Sequence, residues 1–191
     1  MKNNLEDYIV IQSSFLENDF CDETIIKLNE SQKSKWEKHH YHKRSTDEFI
    51  SNGDKDLDIL YTLEVDNTKI IMDRLWKGIA NYVDSFEFPW FYNWTGYSLI
   101  RYNRYLVNHR MEKHCDHIQT LFDGKNKGVP ILSCLGLLND DYEGGEFLIF
   151  DDLKIDLKKG DLLIFPSNFL YPHRVMPVTS GIRYSYISWV W

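Results

Sequence analysis

The sequence predicts an α+β fold that is mainly β, in which helices near the N-terminus brace an antiparallel sandwich or jelly roll. The chain has 191 residues, of which 43% are hydrophobic, so it can form one domain with a sizeable core. Residues 1–86 contain helical periodicity, whereas residues 87–191 consist of short apolar runs broken by turn signals. We therefore predict a single domain over 1–191, with helical support and loop in 1–86 and the jelly-roll core in 87–191.

Two segments of the N-terminal part have apolar residues at the spacing of an amphipathic helix. Asp22 is the predicted N-cap of the first, which continues to Leu28. Asn67 is the predicted N-cap of the second, which continues to Val83. The stretch between them, roughly 30–58, is polar and predicts a long loop.

The C-terminal part has the pattern of short strands separated by tight turns. Five apolar runs lie at 97–102, 131–138, 146–150, 161–165 and 182–191. The turn signals between them are Asn139-Asp140-Asp141, Gly144-Gly145, Lys159-Gly160-Asp161 and Ser180-Gly181. Repeated short strands of this kind are typical of β-sandwiches and jelly rolls.

Charge and composition exclude several classes of protein. The net charge of −7 lacks the basic surplus that phosphate binding favours, so we predict no nucleic-acid partner. No run of about 18 apolar residues could span a membrane, and the N-terminus lacks the apolar segment of a signal peptide. Cys21, Cys115 and Cys134 are too few and too irregularly spaced for a disulfide framework. We therefore predict a cytoplasmic protein with no membrane partner.

The spacing of one histidine and one aspartate predicts a metal site. His114 and Asp116 are two residues apart, so in a strand both face the same side, and Cys115 faces the other. A third ligand, His173, follows the predicted strand at 161–165. Two histidines and one carboxylate form the facial triad of non-haem Fe(II) oxygenases, which leaves coordination positions open.

The last predicted strand carries an arginine in an aromatic setting. Alternation places Arg183 on the same face as Ser185, Ile187 and Trp189. A buried guanidinium is unfavourable unless a partner neutralises it. A small dicarboxylate would be such a partner, because guanidinium binds carboxylate in bidentate fashion.

Taken in order, these motifs resemble the 2-oxoglutarate/Fe(II)-dependent dioxygenases, and among them the prolyl 4-hydroxylases. The resemblance covers about residues 97–191. It rests on His114-x-Asp116, the Glu143-Gly144-Gly145-Glu146 turn, Lys159-Gly160-Asp161 before an apolar strand, and His173 followed by Arg183. The resemblance implies a double-stranded β-helix core.

The resemblance also implies a role for each matching residue. His114, Asp116 and His173 would hold Fe(II), and Arg183 would pair with the distal carboxylate of 2-oxoglutarate. Tyr102 matches a tyrosine that often hydrogen-bonds the same carboxylate. Two further positions, Val175 and Trp189, match residues that pack beside the co-substrate.

The implied reaction is hydroxylation of a C–H bond, coupled to conversion of 2-oxoglutarate and O2 into succinate and CO2. The implied substrate is a prolyl residue in a peptide or protein, and ascorbate would be a supporting reductant. The carboxylate of Asp116 favours hydroxylation, because halogenases of this family leave that ligand position open for halide.

Some positions depart from the family pattern. The segment between Tyr102 and His114 lacks the usual glycine and is longer, so Tyr105 is an alternative for the tyrosine role. Leu137 stands where a tyrosine is common in the family. His117 is an alternative metal ligand, although alternation turns it away from His114.

Two segments outside the motifs allow more than one interpretation. The run His39-His40-Tyr41-His42 is either an exposed loop or a lid over the substrate. Aromatic residues at 86–94 are either core or a peptide-stacking surface.

The function has two alternatives. One is an oxygenase that acts on another side chain, a free amino acid or a small molecule. The other is a non-catalytic metal-binding jelly roll. The base-repair branch is disfavoured, since Trp189 replaces its second arginine.

Overall fold

The computed structural model describes residues 4–31, 35–43, 48–51, 53–86, 96–116 and 128–191. It contains two α-helices, α1 (Asn18–Glu30) and α2 (Asp66–Asp84). The first strands are β1 (Val10–Gln12), β2 (Glu37–Lys38), β3 (Tyr41–Lys43), β4 (Glu48–Ile50), β5 (Asp58–Leu60), β6 (Arg101–Tyr105) and β7 (Met111–His114). The later strands are β8 (Leu132–Leu137), β9 (Glu143–Gly144), β10 (Phe147–Ile149), β11 (Leu153–Ile155), β12 (Leu162–Pro166), β13 (His173–Val175), β14 (Val178–Ser180) and β15 (Arg183–Val190).

The strands form two main antiparallel sheets. The larger has seven strands in the order β1-β12-β8-β15-β6-β5-β2, and the smaller has four in the order β11-β10-β13-β7. An inner apolar cluster joins residues of both sheets, among them Leu135 and Leu163 of the larger and Phe147 and Val175 of the smaller. This arrangement confirms the predicted α+β fold with a jelly-roll core.

The two helices cover the outer face of the larger sheet. Ile71, Leu75 and Ile79 of α2 form one cluster with Cys134 of β8 and Tyr186 of β15. The two central strands β8 and β12 are buried on both faces, and their sequences are accordingly rich in apolar residues. Alternation along β15 therefore divides the sheet into an inner face toward the second sheet and an outer face toward the helices.

One glycine permits the closest packing on the outer face. Gly136 is the cross-strand partner of Tyr186, and a Cβ at position 136 would lie 2.0 Å from Cζ of that ring. The fully buried tyrosine thus occupies the space that any other residue at 136 would fill.

Both predicted helix starts are wrong by a few residues, because α1 begins at Asn18 and α2 at Asp66. The side chains expected to cap them have other partners. Asp22 accepts a hydrogen bond from Lys159 at 2.6 Å. Asn67 donates to Thr24 at 2.8 Å, which connects the two helices. Tertiary contacts therefore replace the local capping that the sequence suggested.

The predicted long loop at 30–58 is also wrong, since β2, β3 and β4 lie within it. β2 joins the larger sheet by pairing with β5, and β3 pairs with β4 as a separate two-stranded sheet. Lys38 and Arg104 both pair with the buried carboxylate of Asp58, each at 3.0 Å. These partners are distant in sequence, so the local polarity of the segment could not reveal them. In the described part of the chain, no helix is long and apolar enough to cross a bilayer.

Candidate metal centre

Two paired strands of the smaller sheet bring the predicted metal ligands together. His114, the last residue of β7, is the direct cross-strand partner of His173, the first residue of β13. Their imidazole centroids lie 4.4 Å apart. Asp116 follows β7, with its carboxylate oxygens 3.7 Å from Nε2 of each histidine. The three ligand atoms all lie within 4.8 Å of one another, as one metal ion would require.

Hydrogen bonds to the backbone orient both imidazoles. Nδ1 of His114 lies 2.7 Å from the carbonyl oxygen of Glu112, and Nδ1 of His173 lies 3.0 Å from that of Tyr171. Each Nδ1 must carry the proton in order to donate to a carbonyl. Each Nε2 therefore presents its lone pair to the shared space, which is the tautomer that metal coordination requires.

The electrostatic environment favours the same protonation state. Burial, reinforced by His173, lowers the pKa of His114 to about 4, so its imidazole is neutral at physiological pH. Burial would raise the pKa of Asp116, but the two histidines and Ser133 together hold it below its usual value. The neutral imidazole of His114 and the ionised carboxylate of Asp116 can therefore bind a divalent cation without first losing protons.

Ser133 of β8 positions the carboxylate of Asp116. Its hydroxyl donates to Oδ2 of Asp116 and lies 2.6 Å from the hydroxyl of Ser167. The indole N–H of Trp189 also lies near enough to the carboxylate to help lower its pKa, although it makes no hydrogen bond. Ser133 is not among the site residues predicted from the sequence. Its only signal there was a polar residue inside a predicted apolar strand.

Replacing Ser133 with alanine should weaken binding of a divalent metal by about 10–100-fold, which is the usual effect of removing a hydrogen bond to a ligand. The measurement is a calorimetric titration of the metal-free protein. Ser188→Ala is the matched control, because Ser188 is equally buried but lies on the outer face of β15. Equal losses in the two variants would contradict a positioning role for Ser133.

Arg183 is buried inside the barrel without an acidic partner among the described residues. It is 1% exposed, and its guanidinium lies 5.1 Å from the ring centroid of Tyr105. One terminal nitrogen donates to Ser185 at 3.0 Å, and Nε has no partner. A cavity of about 340 Å³ borders it together with Tyr142 and Phe147. An enclosed guanidinium of this kind is suited to a carboxylate ligand.

The structure does not bring Tyr102 to Arg183. Tyr102 lies on the outer face, where its hydroxyl is 2.9 Å from that of Thr68 in α2. Tyr105, the alternative, is the cross-strand partner of Arg183 and belongs to the inner cluster. Two residues separate the two tyrosines, so they lie on opposite faces of β6. This placement corrects the interpretation of Tyr102 as a co-substrate residue, and a co-substrate role for Tyr105 stays a prediction.

Val175 and Trp189 both lie on the inner face, at different depths. Val175 is two residues beyond His173 on β13 and pairs with Phe147, whose ring is 5.5 Å from that of His173. Trp189 pairs with Ser133 at the metal end of β15, six residues from Arg183. Contact of either residue with a co-substrate stays a prediction.

Gly145 adjoins Arg183 from the neighbouring turn. Its φ of +64° is a conformation that favours glycine, and a Cβ there would lie 3.1 Å from Cδ of Arg183. The predicted glycine turn therefore leaves room for the arginine side chain.

The histidine run at 39–42 begins against the barrel. His39 stacks edge-on against Tyr41 at 4.7 Å, and the hydroxyl of Tyr41 lies 3.2 Å from the sulfur of Met111. The segment is thus more enclosed than a fully exposed loop, and a lid role stays a prediction. His117 and the aromatic residues at 88–94 lie outside the described residues.

The C-terminal half of the chain resembles a known protein family. A family model described as the 2OG-Fe(II) oxygenase superfamily matches residues 100–191, which include all three metal ligands and Arg183. This stretch, just under half of the chain, is similar to the 2OG-Fe(II) oxygenase superfamily.

Curated relatives that match this region carry the name of bacterial PKHD-type hydroxylases. A PKHD-type hydroxylase of Xylella fastidiosa (strain M12) is 40% identical over 100 residues, which cover 47% of this chain and 43% of the relative. A PKHD-type hydroxylase of Idiomarina loihiensis is 36% identical over 126 residues, which cover 64% and 52%. The chain therefore matches about half the length of these relatives.

Solved structures similar to this chain show that the fold extends through the N-terminal part. A prolyl hydroxylase from Trichoplax adhaerens, in complex with a hypoxia inducible factor peptide fragment, has a TM-score of 0.72 at 18% identity. The matching part covers 96% of this chain and 83% of the Trichoplax chain. A Pseudomonas putida prolyl-4-hydroxylase has a TM-score of 0.67 at 14% identity and covers 96% and 91%. The predicted double-stranded β-helix core is confirmed.

Proposed function

We propose that this protein is a 2-oxoglutarate- and Fe(II)-dependent dioxygenase that hydroxylates a prolyl residue in a peptide or protein. The observation that carries the proposal is the pairing of two elements inside one barrel. One is a complete set of two imidazoles and one carboxylate, and the other is a buried arginine without an acidic partner among the described residues.

The residues fit Fe(II). His114, Asp116 and His173 offer two nitrogens and one oxygen from one side, which is the donor set that non-haem Fe(II) oxygenases use. Three protein ligands leave positions for a bidentate co-substrate and for dioxygen. His114 is only partly buried, so the site can be approached from its side.

The residues also fit 2-oxoglutarate. Arg183 can bind the distal carboxylate with its terminal nitrogens, and Ser185 and Tyr105 hold the guanidinium in place. The cavity beside Arg183 also touches Phe147, which packs against His173. A dicarboxylate anchored at Arg183 can thus direct its other end toward the metal ligands.

The metal and the 2-oxo acid together supply the oxidation, in which substrate C–H, O2 and 2-oxoglutarate become C–OH, succinate and CO2. The protein supplies position. Arg183 orients the co-substrate, and Ser133 fixes the carboxylate of Asp116. Buried Ile149 and Val175 exclude water from the space beside His173 and thereby prevent side reactions.

A prolyl substrate is supported by the names of similar proteins, which include prolyl hydroxylases and a complex with a peptide.

There are two alternative functions. One is an oxygenase for another side chain or a small molecule, and the other is a metal-binding jelly roll without activity. A single catalytic domain over 1–191 and a cytoplasmic location also remain proposals, the latter resting on three free cysteines.

The test is turnover of 2-oxoglutarate by the full chain with Fe(II) and ascorbate, in the presence and absence of proline-containing peptides. We expect peptide-stimulated release of succinate and a mass gain of one oxygen atom on proline. Hydroxylation of other residues only would favour the alternative oxygenase. A folded protein that binds the metal but turns over no 2-oxoglutarate with any peptide would favour the non-catalytic metal-binding jelly roll.

A further inference from the structure

A second arginine lies on the inner face, at the opposite end from Arg183. Arg101 is the first residue of β6 and the cross-strand partner of Ile187, which places it on the same face as Trp189. Its guanidinium carbon lies 5.1 Å from the centroid of the Trp189 ring. Its Nε donates to Oδ1 of Asn103 at 3.0 Å, so the planar group is held in one orientation.

The guanidinium of Arg101 has no acidic partner among the described residues. Its neighbour on the outer face, Arg104, makes two hydrogen bonds to Asp58, at 3.0 and 3.1 Å. Arg110, on the rim, pairs with Glu112 at 2.7 Å. Arg101 is partly buried, yet its two terminal nitrogens make no described hydrogen bond. They are therefore available to a ligand.

The groups around Arg101 do not neutralise it. His39 is close enough that burial, Arg101 and His114 together lower the pKa of its imidazole to about 3, so the ring is uncharged at physiological pH. Nδ1 of His39 is buried without a hydrogen-bond partner. The cation of Arg101 thus has near it an uncharged ring with an unused nitrogen.

The guanidinium of Arg101 also lies close to the metal site. Trp189 approaches the carboxylate of Asp116 with its indole N–H, while its ring lies against Arg101. Arg101 is therefore one side chain away from a metal ligand, at the far end of the inner face from the co-substrate arginine. A ligand bound there would lie beside the metal without competing for Arg183.

We propose that Arg101 binds a carboxylate of the substrate, so that the enzyme selects a peptide with a carboxylate next to the residue that is hydroxylated. A carboxylate fits because the guanidinium presents two parallel donors, and Trp189 holds it flat. The carboxylate comes either from an acidic side chain or from the C-terminus of the peptide. The inference rests on the proposed function for the position of the substrate.

The experiment compares peptides that differ only in charge beside proline. The set is acetyl-Gly-Ala-Pro-Xaa-Gly-amide with Glu, Gln or Lys at Xaa, its counterpart with Xaa before proline, and acetyl-Gly-Ala-Pro as free acid or amide. We expect wild-type kcat/KM to favour one acidic peptide over its neutral partner by about 10–100-fold, as one charge-assisted contact provides. The side-chain and C-terminal members distinguish the two sources of the carboxylate.

Variants assign that preference to Arg101. In Arg101→Gln the acidic and neutral peptides should react equally well, and in Arg101→Glu the order should reverse in favour of Lys. The KM for 2-oxoglutarate should be unchanged in both. Arg110→Gln removes another partly buried arginine and should keep the wild-type preference. An absent preference in wild type, or equal loss on all peptides in Arg101→Gln, would overturn the proposal.

A peptide-binding measurement tests the Arg101 subsite independently of prolyl hydroxylation. The full chain is loaded with Zn(II), which is redox-inert, and 2-oxoglutarate. Peptides are then titrated while the indole N–H signal of Trp189, assigned with Trp189→Phe, is followed by NMR. If no peptide is hydroxylated but the acidic one shifts this signal in wild type and not in Arg101→Gln, the subsite stands and prolyl hydroxylation fails. If neither peptide shifts it, the subsite is refuted.

Discussion

Replacing His173 with alanine should reduce binding of Fe(II) by more than about 100-fold and reduce 2-oxoglutarate turnover to background. Loss of a hydrogen bond to a ligand already weakens metal binding by about 10–100-fold, so loss of a ligand should weaken it further. The imidazole also lies between the rings of Phe147 and Phe165, at 5.5 and 5.1 Å. The measurement is anaerobic titration with Fe(II) and 2-oxoglutarate, following the visible metal-to-ligand charge-transfer band.

Two further variants make this result specific. His173→Gln keeps more of the side-chain volume, so it separates loss of the ligand from loss of packing. His109→Ala removes another buried histidine, one that lies 3.2 Å from Nζ of Lys38 and away from the triad. We expect normal metal binding in His109→Ala. A charge-transfer band of wild-type intensity in folded His173→Gln would mean that the metal is held elsewhere.

Replacing Arg183 with alanine should raise the KM for 2-oxoglutarate by about 100-fold or more, while Fe(II) affinity in the absence of 2-oxoglutarate stays near normal. The reason is the loss of two charge-assisted hydrogen bonds to the distal carboxylate, which lies away from the metal. Arg183→Lys retains the charge but not the planar fork, so its KM should be intermediate. Steady-state turnover and anaerobic metal titration give the two quantities separately.

Thermal unfolding provides an independent measurement on Arg183. Its guanidinium is buried without an acidic partner among the described residues, which disfavours the ligand-free protein. Arg183→Met should therefore melt at a higher temperature than wild type without ligand, and should no longer be stabilised by added 2-oxoglutarate. If the variant loses stability and metal binding together, Arg183 has a structural role instead.

The metal ligands could be predicted because their signal is local. His114 and Asp116 are two residues apart at the end of a strand, so alternation alone places them on one face. Their approach to His173 is non-local, since it depends on the pairing of β7 with β13. The spacing of residues could not predict this approach, whereas the order of the motifs, through the family resemblance, did.

The tyrosine assignment failed for a related reason. Tyr102 and Tyr105 lie in the same short run, and which of them faces inward depends on where β6 pairs with β15. A shift of one residue in that register would exchange the two faces. The polar segment around β2 was missed because its stabilising contacts, such as Lys38 with Asp58, join residues far apart in the chain. Local composition carries no trace of such pairs.

The double burial of the larger sheet has a consequence for the boundaries of a minimal enzyme. The similarity to the superfamily starts at residue 100, but Tyr102, Cys134 and Tyr186 project outward against α1 and α2. A fragment truncated to the matching region would expose this apolar face to water and invite self-association. We therefore expect that residues 100–191 would not fold alone, because the two helices outside the matching region share one apolar core with them.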